Sequence, residues 1–140
     1  MTDFSPTVLA SVETPGGRAE LVEWQWPAIL DFARREDQLM LEMSLPPTWA
    51  DASACFPEID PERRCFMGTL FVRWPGVLVS GRSEGGHIRV VRCIFPTERA
   101  RHITDLRPQP DLPFLQALLA LQSDTLRSLF RLLKQIGRAH

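Results

Sequence analysis

Apolar and polar positions alternate with a period of two along much of this chain. Residues 19–27, AELVEWQWP, set Val22, Trp24 and Trp26 against Glu23 and Gln25, and Pro27 closes the run. That pattern predicts a half-buried strand. Residues 37–47, DQLMLEMSLPP, repeat it, with Leu39, Leu41, Met43 and Leu45 on one side and Glu42 and Ser44 on the other. Three more strands are predicted in CFMGTLFVRW (65–74), VLVSGRS (77–83) and HIRVVRCIF (87–95). The turns between them are Pro75-Gly76, with proline suited to turn position i+1, and Glu84-Gly85-Gly86, a diglycine hairpin. Residues 1–18 read as a flexible lead ended by the turn TPGG. The stretch from Pro46 to Pro61 reads as a proline-punctuated loop, with Trp49 and Phe56 tucked down as anchors.

Beyond Pro96 the period changes to that of a helix. TERARHI (97–103) predicts a short helix with Thr97 as its N-cap, and RPQPDLP interrupts. DLPFLQALLALQ and SDTLRSLFRLLKQIG then read as helical. In the last, Leu126, Leu129, Phe130, Leu133 and Ile136 form an apolar stripe and Gly137 marks the stop. Such a stripe either buries itself against the chain's own sheet or offers a surface to a partner helix. Short strands at close spacing followed by helices make the chain mainly β, an antiparallel barrel or sandwich with two or three C-terminal α-helices. The expected organisation is a lead over 1–18, a β-barrel over 19–96 and a helical segment packed on it over 97–140.

The 140 residues suit one domain with a proper core. No apolar run reaches the length of a membrane span, and the N-terminus lacks the basic start and apolar block of a secretory signal. Cys55, Cys65 and Cys93 form no CxxC pair, which fits buried thiols in a reducing cytoplasm. The net charge of −1 hides an asymmetry. Residues 1–62 hold three arginines against twelve acids, and residues 63–140 hold thirteen bases against five acids. Such a split either steers an anionic partner or draws the two halves together within one fold.

The densest cluster of chemically capable residues is GRSEGGHIRVVRC (81–93). As a phosphate loop it fails, because Gly81, Gly85 and Gly86 have the wrong spacing and a strand follows where a helix is needed. A metal needs at least three converging ligands. His87, His102 and His140 are far apart in sequence, so no metal or other cofactor is expected. No nucleophile, base and orienting group assemble, so no catalytic residue is assigned. Cys93 lies in an apolar strand, where desolvation makes a thiol inert. Carboxylates such as Asp31 with Glu36, or Glu58 with Asp60, read as solvated loop groups. The arginines remain. Arg73, Arg82, Arg89 and Arg92 lie on strands or strand ends, and Arg89 and Arg92, three apart, face opposite ways. An arginine inside a barrel requires a partner, either Glu84 across the turn or a ligand's carboxylate or phosphate.

The segment GTLFVRWPGVLVSGRSEGGHIRVVRCIF resembles the N-terminal sensor domain of AraC-type transcriptional regulators. The resemblance rests on Gly68-Thr69-Leu70-Phe71, Pro75-Gly76, Gly81-Arg82-Ser83-Glu84-Gly85-Gly86, and Arg89, Cys93 and Phe95, and extends over roughly residues 37–136. It implies a cupin-like barrel that senses a small-molecule effector. The lining expected for that barrel is Trp24, Leu41, Phe71 and Trp74, with Arg73, Arg82, Arg89 and Arg92 as polar groups. Gly81, Glu84, Gly85, Gly86 and Cys93 are expected to build the hairpin. The stripe Leu126, Leu129, Phe130 and Leu133 is a surface for a partner or a homodimer. The chain ends at Gly137-Arg138-Ala139-His140 without a helix-turn-helix pair, so contact with DNA is expected only through a domain that these residues do not contain. The alternatives are an interaction module without ligand and a small cupin-type enzyme on a sugar or amino-acid derivative.

Overall fold

A computed structural model describes residues 6–26, 30–45, 52–83 and 86–124. Within them the chain forms β1 (Thr7–Thr14), β2 (Gly17–Trp26), β3 (Leu30–Arg35), β4 (Leu39–Leu45), β5 (Ser53–Phe56), β6 (Asp60–Phe66), β7 (Leu70–Arg73), β8 (Leu78–Ser83) and β9 (Gly86–Phe95). Two helices follow, α1 (Thr97–Thr104) and α2 (Leu112–Leu118). The strands build two antiparallel sheets, one in the order β1-β2-β9-β4-β7 and one in the order β3-β8-β5-β6. The chain is mainly β with helices at its C-terminal end, as the alternation predicts. None of the described helices is long and apolar enough to cross a membrane.

Several local expectations are corrected. Residues 7–14, expected as part of a loose lead, pair with β2 along its length. The sequence TVLASVET supports a strand, but it lies at a sheet edge and is exposed almost throughout, so it lacks the buried alternation that marks the others. The alternation does not predict strand β3, because Asp31, Arg34 and Arg35 mask its large apolar residues, Leu30 and Phe32. The expected loop between Pro46 and Pro61 contains β5 and the start of β6. Phe56 is buried as an anchor, and Trp49 lies outside the described residues. CFMGTLFVRW is not one strand. It breaks at Met67–Thr69, where the chain leaves the four-stranded sheet for the five-stranded one. At Gly68 the chain meets the exit of α2, and an added Cβ would stand 2.9 Å from Ala120 Cα.

The turn at Pro75-Gly76 forms as predicted, with Gly76 at a φ of 76°, a conformation that favours glycine. The diglycine hairpin does not form. β8 pairs with β3 and β5, whereas β9 pairs with β2 and β4, so Glu84-Gly85 connects two sheets; those two residues themselves lie outside the described set. Thr97 does not cap α1. Pro96 holds the N-cap position and no side chain bonds there, whereas Asp111 caps α2 by accepting from the Phe114 N–H at 3.0 Å. The stripe residues Leu126, Leu129, Phe130 and Leu133 lie outside the described residues.

Pairing register decides which side chains share a face. Glu20, Val22 and Trp24 on β2 stand opposite Arg92, Val90 and Ile88 on β9. Arg92 in turn stands opposite Glu42 on β4, and Glu42 opposite Phe71 on β7. This face looks at the four-stranded sheet. Arg34 of β3 lies over the Trp24 ring at 5.4 Å, and Phe71 packs in one cluster with Ala54, Phe56 and Val79. The opposite face of the five-stranded sheet carries Met43, Leu45, Leu70 and Val91, with Leu21, Leu41, Cys93 and Leu121 around them. At the β7 edge α2 closes the sheet, with Trp74 edge-on to Phe114 at 5.0 Å and Leu115 and Leu119 in the cluster of Phe71. Side chains on both faces of β4 are buried, and the strand reads as a nearly continuous apolar run for that reason.

Candidate functional site

The inner face of the five-stranded sheet carries charge. Glu20 and Glu42 are among the most buried polar groups described, at 7% and 2% exposure. Arg92 Nε donates to Glu20 Oε1 at 2.7 Å, and Arg18 Nε lies 3.2 Å from the other Glu20 oxygen. Arg73 Nε donates to Glu42, and its guanidinium lies over the Phe71 ring at 5.3 Å. The result is a row across four strands, running Arg18–Glu20–Arg92 to Glu42–Arg73, with Trp24, Val22 and Val90 beside it. Three guanidiniums face two carboxylates. Arg34, over Trp24, donates to Glu36 Oε1 at 3.0 Å and extends the polar lining from the second sheet.

Four of the eight expected lining residues share this face, namely Trp24, Phe71, Arg73 and Arg92. The other four do not. Leu41 lies on the opposite face in the cluster around Met43 and Leu70, because the inward residues of β4 are Met40, Glu42 and Ser44. Trp74, just beyond the end of β7, belongs to the buried cluster of Phe71 and meets Phe114 of α2 edge-on. Arg82 is exposed on the far side of the four-stranded sheet, 4.0 Å from Asp31. Arg89 points away from Arg92, as three-residue spacing predicts, and donates to Glu23 Oε2 at 3.1 Å. The partner expected for the arginines, Glu84, lies outside the described residues. Partners described for Arg73, Arg82, Arg89 and Arg92 come from β2, β3 and β4. This is the charge asymmetry at work, with acids of residues 1–62 neutralising bases of residues 63–140.

Glu20, Glu42, Phe32 and Arg34 are the inner-face residues that the sequence reading missed. The signal that could have found Glu42 is its setting. Met40 and Ser44 flank it on its own face, so that side of β4 is not a solvated one. Gly81 has a role unlike that of a hairpin residue. It stands opposite Phe32, and a Cβ there would lie 2.2 Å from Phe32 Cζ. Gly86 opens β9 opposite Trp26.

The remaining reactive groups are held in other ways. His87 Nε2 lies 2.8 Å from Glu23 Oε2 on the outer face, and His87 with Arg89 holds the Glu23 carboxyl below the usual carboxylate range. Asp31 is the second residue of β3, and Glu58, expected as solvated, receives two hydrogen bonds of 2.8 Å from Arg35. Burial pushes the Cys93 thiol up, in line with its apolar strand. Cys65 Sγ accepts from Gln116 Nε2 at 3.2 Å. Among the described residues no three of His, Cys, Asp and Glu cluster in a way that could hold a metal ion.

No family model matches this chain, and no curated protein matches it in sequence. Among solved structures it is similar to the Schizosaccharomyces pombe Cnp3 cupin domain, at a TM-score of 0.42 and 15% identity, over 71% of this chain and 64% of that one. That likeness is loose.

Proposed function

We propose that this chain is a small-molecule-sensing module, a cupin-like container of the type that forms the N-terminal half of AraC-type regulators. The observation that carries this reading is the ion row on the inner face. Burying an ion pair gives little net stability, and replacing one with apolar residues of similar volume is often neutral or stabilising. Glu20, Arg92, Glu42 and Arg73 therefore add little to a core beyond selecting strand partners. Apolar walls with a few converging polar groups are instead the usual lining of a ligand site.

A path for the signal exists. Phe71 and Arg73 of β7 belong to the row, while the backbone at the start of that strand and in the link before it holds the exit of α2. Leu121 N–H donates to Leu70 O at 2.8 Å and Gly68 N–H to Leu119 O at 2.9 Å. A ligand that displaces β7 therefore moves the helical segment, and a bound state of different helix position is what an attached domain would read. DNA is contacted through such an attached or partner domain, and no reaction is catalysed. The module works in the cytoplasm.

The test is a thermal-shift screen of the protein against small carboxylic acids, sugars, amino acids and aromatics. A ligand at a hundred times its Kd adds about 2.7 kcal/mol to stability, a rise of several degrees in a domain of this size. A panel without a single saturable shift overturns the proposal. A second reading, an interaction module working without ligand, draws on Ile103 and Leu106 near the end of α1, which are 41% and 75% exposed. Concentration-dependent dimerisation lost on Leu106→Ser would support it.

A further inference from the structure

We infer that the free edge of β1 pairs with the same strand of a second copy, antiparallel about a twofold axis. The dimer so formed has one continuous sheet with five strands from each copy. This contact stands apart from the sensing role proposed above.

The two sheets leave four edges, β1, β7, β3 and β6. A bare edge is a row of unpaired N–H and C=O groups that invites another strand, and proteins close such edges by shortness, cover, proline or charge. Three of the four are closed in these ways. β7 has four residues, and the exit of α2 lies along it through the bond from Leu121 N–H to Leu70 O. β3 carries Asp31, Arg34 and Arg35, and Arg35 is clipped to Glu58 and to Gly76 O. β6 runs through Pro61, Glu62, Arg63 and Arg64 in succession. β1 differs from all three. It is eight residues long, TVLASVET, rich in β-branched side chains, and Glu13 is its one charge. Among the described residues it pairs with β2 alone, and Val8, Leu9 and Val12 are 47%, 44% and 40% exposed. Its one guard is a bulge between Val8 and Ala10, which adds twist but leaves Ala10–Thr14 in regular register with β2.

The strand's own chemistry selects a second copy as the occupant. A twofold axis perpendicular to the sheet runs the two strands antiparallel, the direction in which β1 already pairs with β2. With the axis near Ala10, Val8 and Leu9 of one copy lie beside Val12 of the other, so the apolar positions exposed in the monomer meet one another. The charges stay apart. Glu13 is three residues past the axis, which sets it and its copy six residues or about 20 Å apart, well beyond the screening length of about 8 Å at physiological salt. Glu13 is also balanced within its own chain by Arg18, 3.9 Å away. Set on β6 of another copy, the same strand would face the proline and charges there, and that head-to-tail contact would grow into an open chain. An edge of this length makes a small interface, so the dimer forms and dissociates in the micromolar range.

The experiment is sedimentation velocity of the full chain from micromolar to sub-millimolar concentrations, with hydrogen exchange at both ends of that range. A monomer–dimer equilibrium should appear. Amides of residues 7–14 should gain protection at the high concentration while those of residues 97–106 do not, which locates the contact without any variant. Leu9→Lys with Val12→Lys should weaken the dimer at least tenfold and leave the melting temperature of the dilute protein unchanged, since both sites are exposed and edge lysines oppose pairing. Leu106→Ser should leave the dimer intact. A chain that stays monomeric throughout overturns the pairing, whether residues 7–14 are unprotected or are protected at every concentration by a segment of the same chain. So does a dimer that survives the two lysines, a dimer lost on Leu106→Ser, or growth beyond the dimer. None of these results bears on the thermal-shift test of sensing.

Discussion

The ring of Phe32 on β3 occupies the space where a side chain on Gly81 of β8 would begin. The two residues pair across the strands, and a Cβ at Gly81 would stand 2.2 Å from Cζ and 2.7 Å from Cε1 of the ring. Ala54, fully buried, stands opposite Gly81 on its other side, so two small residues in one row make room for one large ring. The row is one wall of the space between the sheets, and its packing sets how closely they approach.

Gly81→Ala should destabilise the fold by about 1–3 kcal/mol, the usual cost of overpacking a filled site. Denaturant unfolding of the variant measures it. Phe32→Leu in the same chain should recover part of the loss, because the two residues are in contact and their effects do not add. Purely additive costs would show that the ring is displaced without strain.

Glu42 and Arg73 form the pair whose breakage should cost most. Glu42→Ala strands a guanidinium that is 13% exposed, and about 3–5 kcal/mol of stability should go with it. Replacing both partners, Glu42→Leu with Arg73→Met, should return stability to within about 1 kcal/mol of the parent or above it. A double variant that remains as unstable as Glu42→Ala would give the pair a structural role larger than its electrostatics allow.

Acid should weaken the fold through Glu58 and Glu23. Arg35 grips Glu58 with both terminal nitrogens and also donates to Gly76 O at 2.7 Å, joining the end of β3, the β5–β6 turn and the Pro75-Gly76 turn. The Glu58 carboxyl is held below its ordinary 4.5 by Arg35, and that of Glu23 by His87 first and then Arg89. A depressed carboxyl contributes stability that is present above the unfolded-state value and is lost as pH falls through the folded one. The melting temperature should thus fall below about pH 4.5, and the difference between the parent and Glu58→Gln should vanish there. A difference that persists unchanged at pH 2 would mean that the contact does not depend on charge.

Cys93 should be slow to alkylate. It stands beside Leu41, Leu21 and Val91, and desolvation raises its thiol. Mass-spectrometric mapping after brief iodoacetamide treatment near pH 8 should find it unlabelled in the folded chain and labelled in denaturant. Fast labelling of the native protein would show that this face opens.

The lining of the inner face was half legible. Val22 and Trp24 alternate with polar neighbours on a strand, and their inward direction follows from that alone. β4 misleads because both of its sides are covered. The side richer in leucine suggests the interior, whereas the inner side is the one that carries Glu42. Glu42 has no apolar signature, and nothing local says that Arg92 and Arg73 stand beside it. Those contacts join residues 31 and 50 positions apart and exist only through the order of the strands.

Local chemistry determined where β2, β4, β8 and β9 run, the turn at Pro75-Gly76, the change to helix after Pro96 and the opposite directions of Arg89 and Arg92. Each depends on backbone preferences and on a side-chain period that neighbouring residues already express. Only the tertiary structure decided which strands share a sheet, that Gly81 yields space to Phe32, and that a row of ions lies on the inner face. A strand's hydrogen-bonding edges accept any partner. The choice among partners is made by burial and charge pairing between segments far apart in the chain.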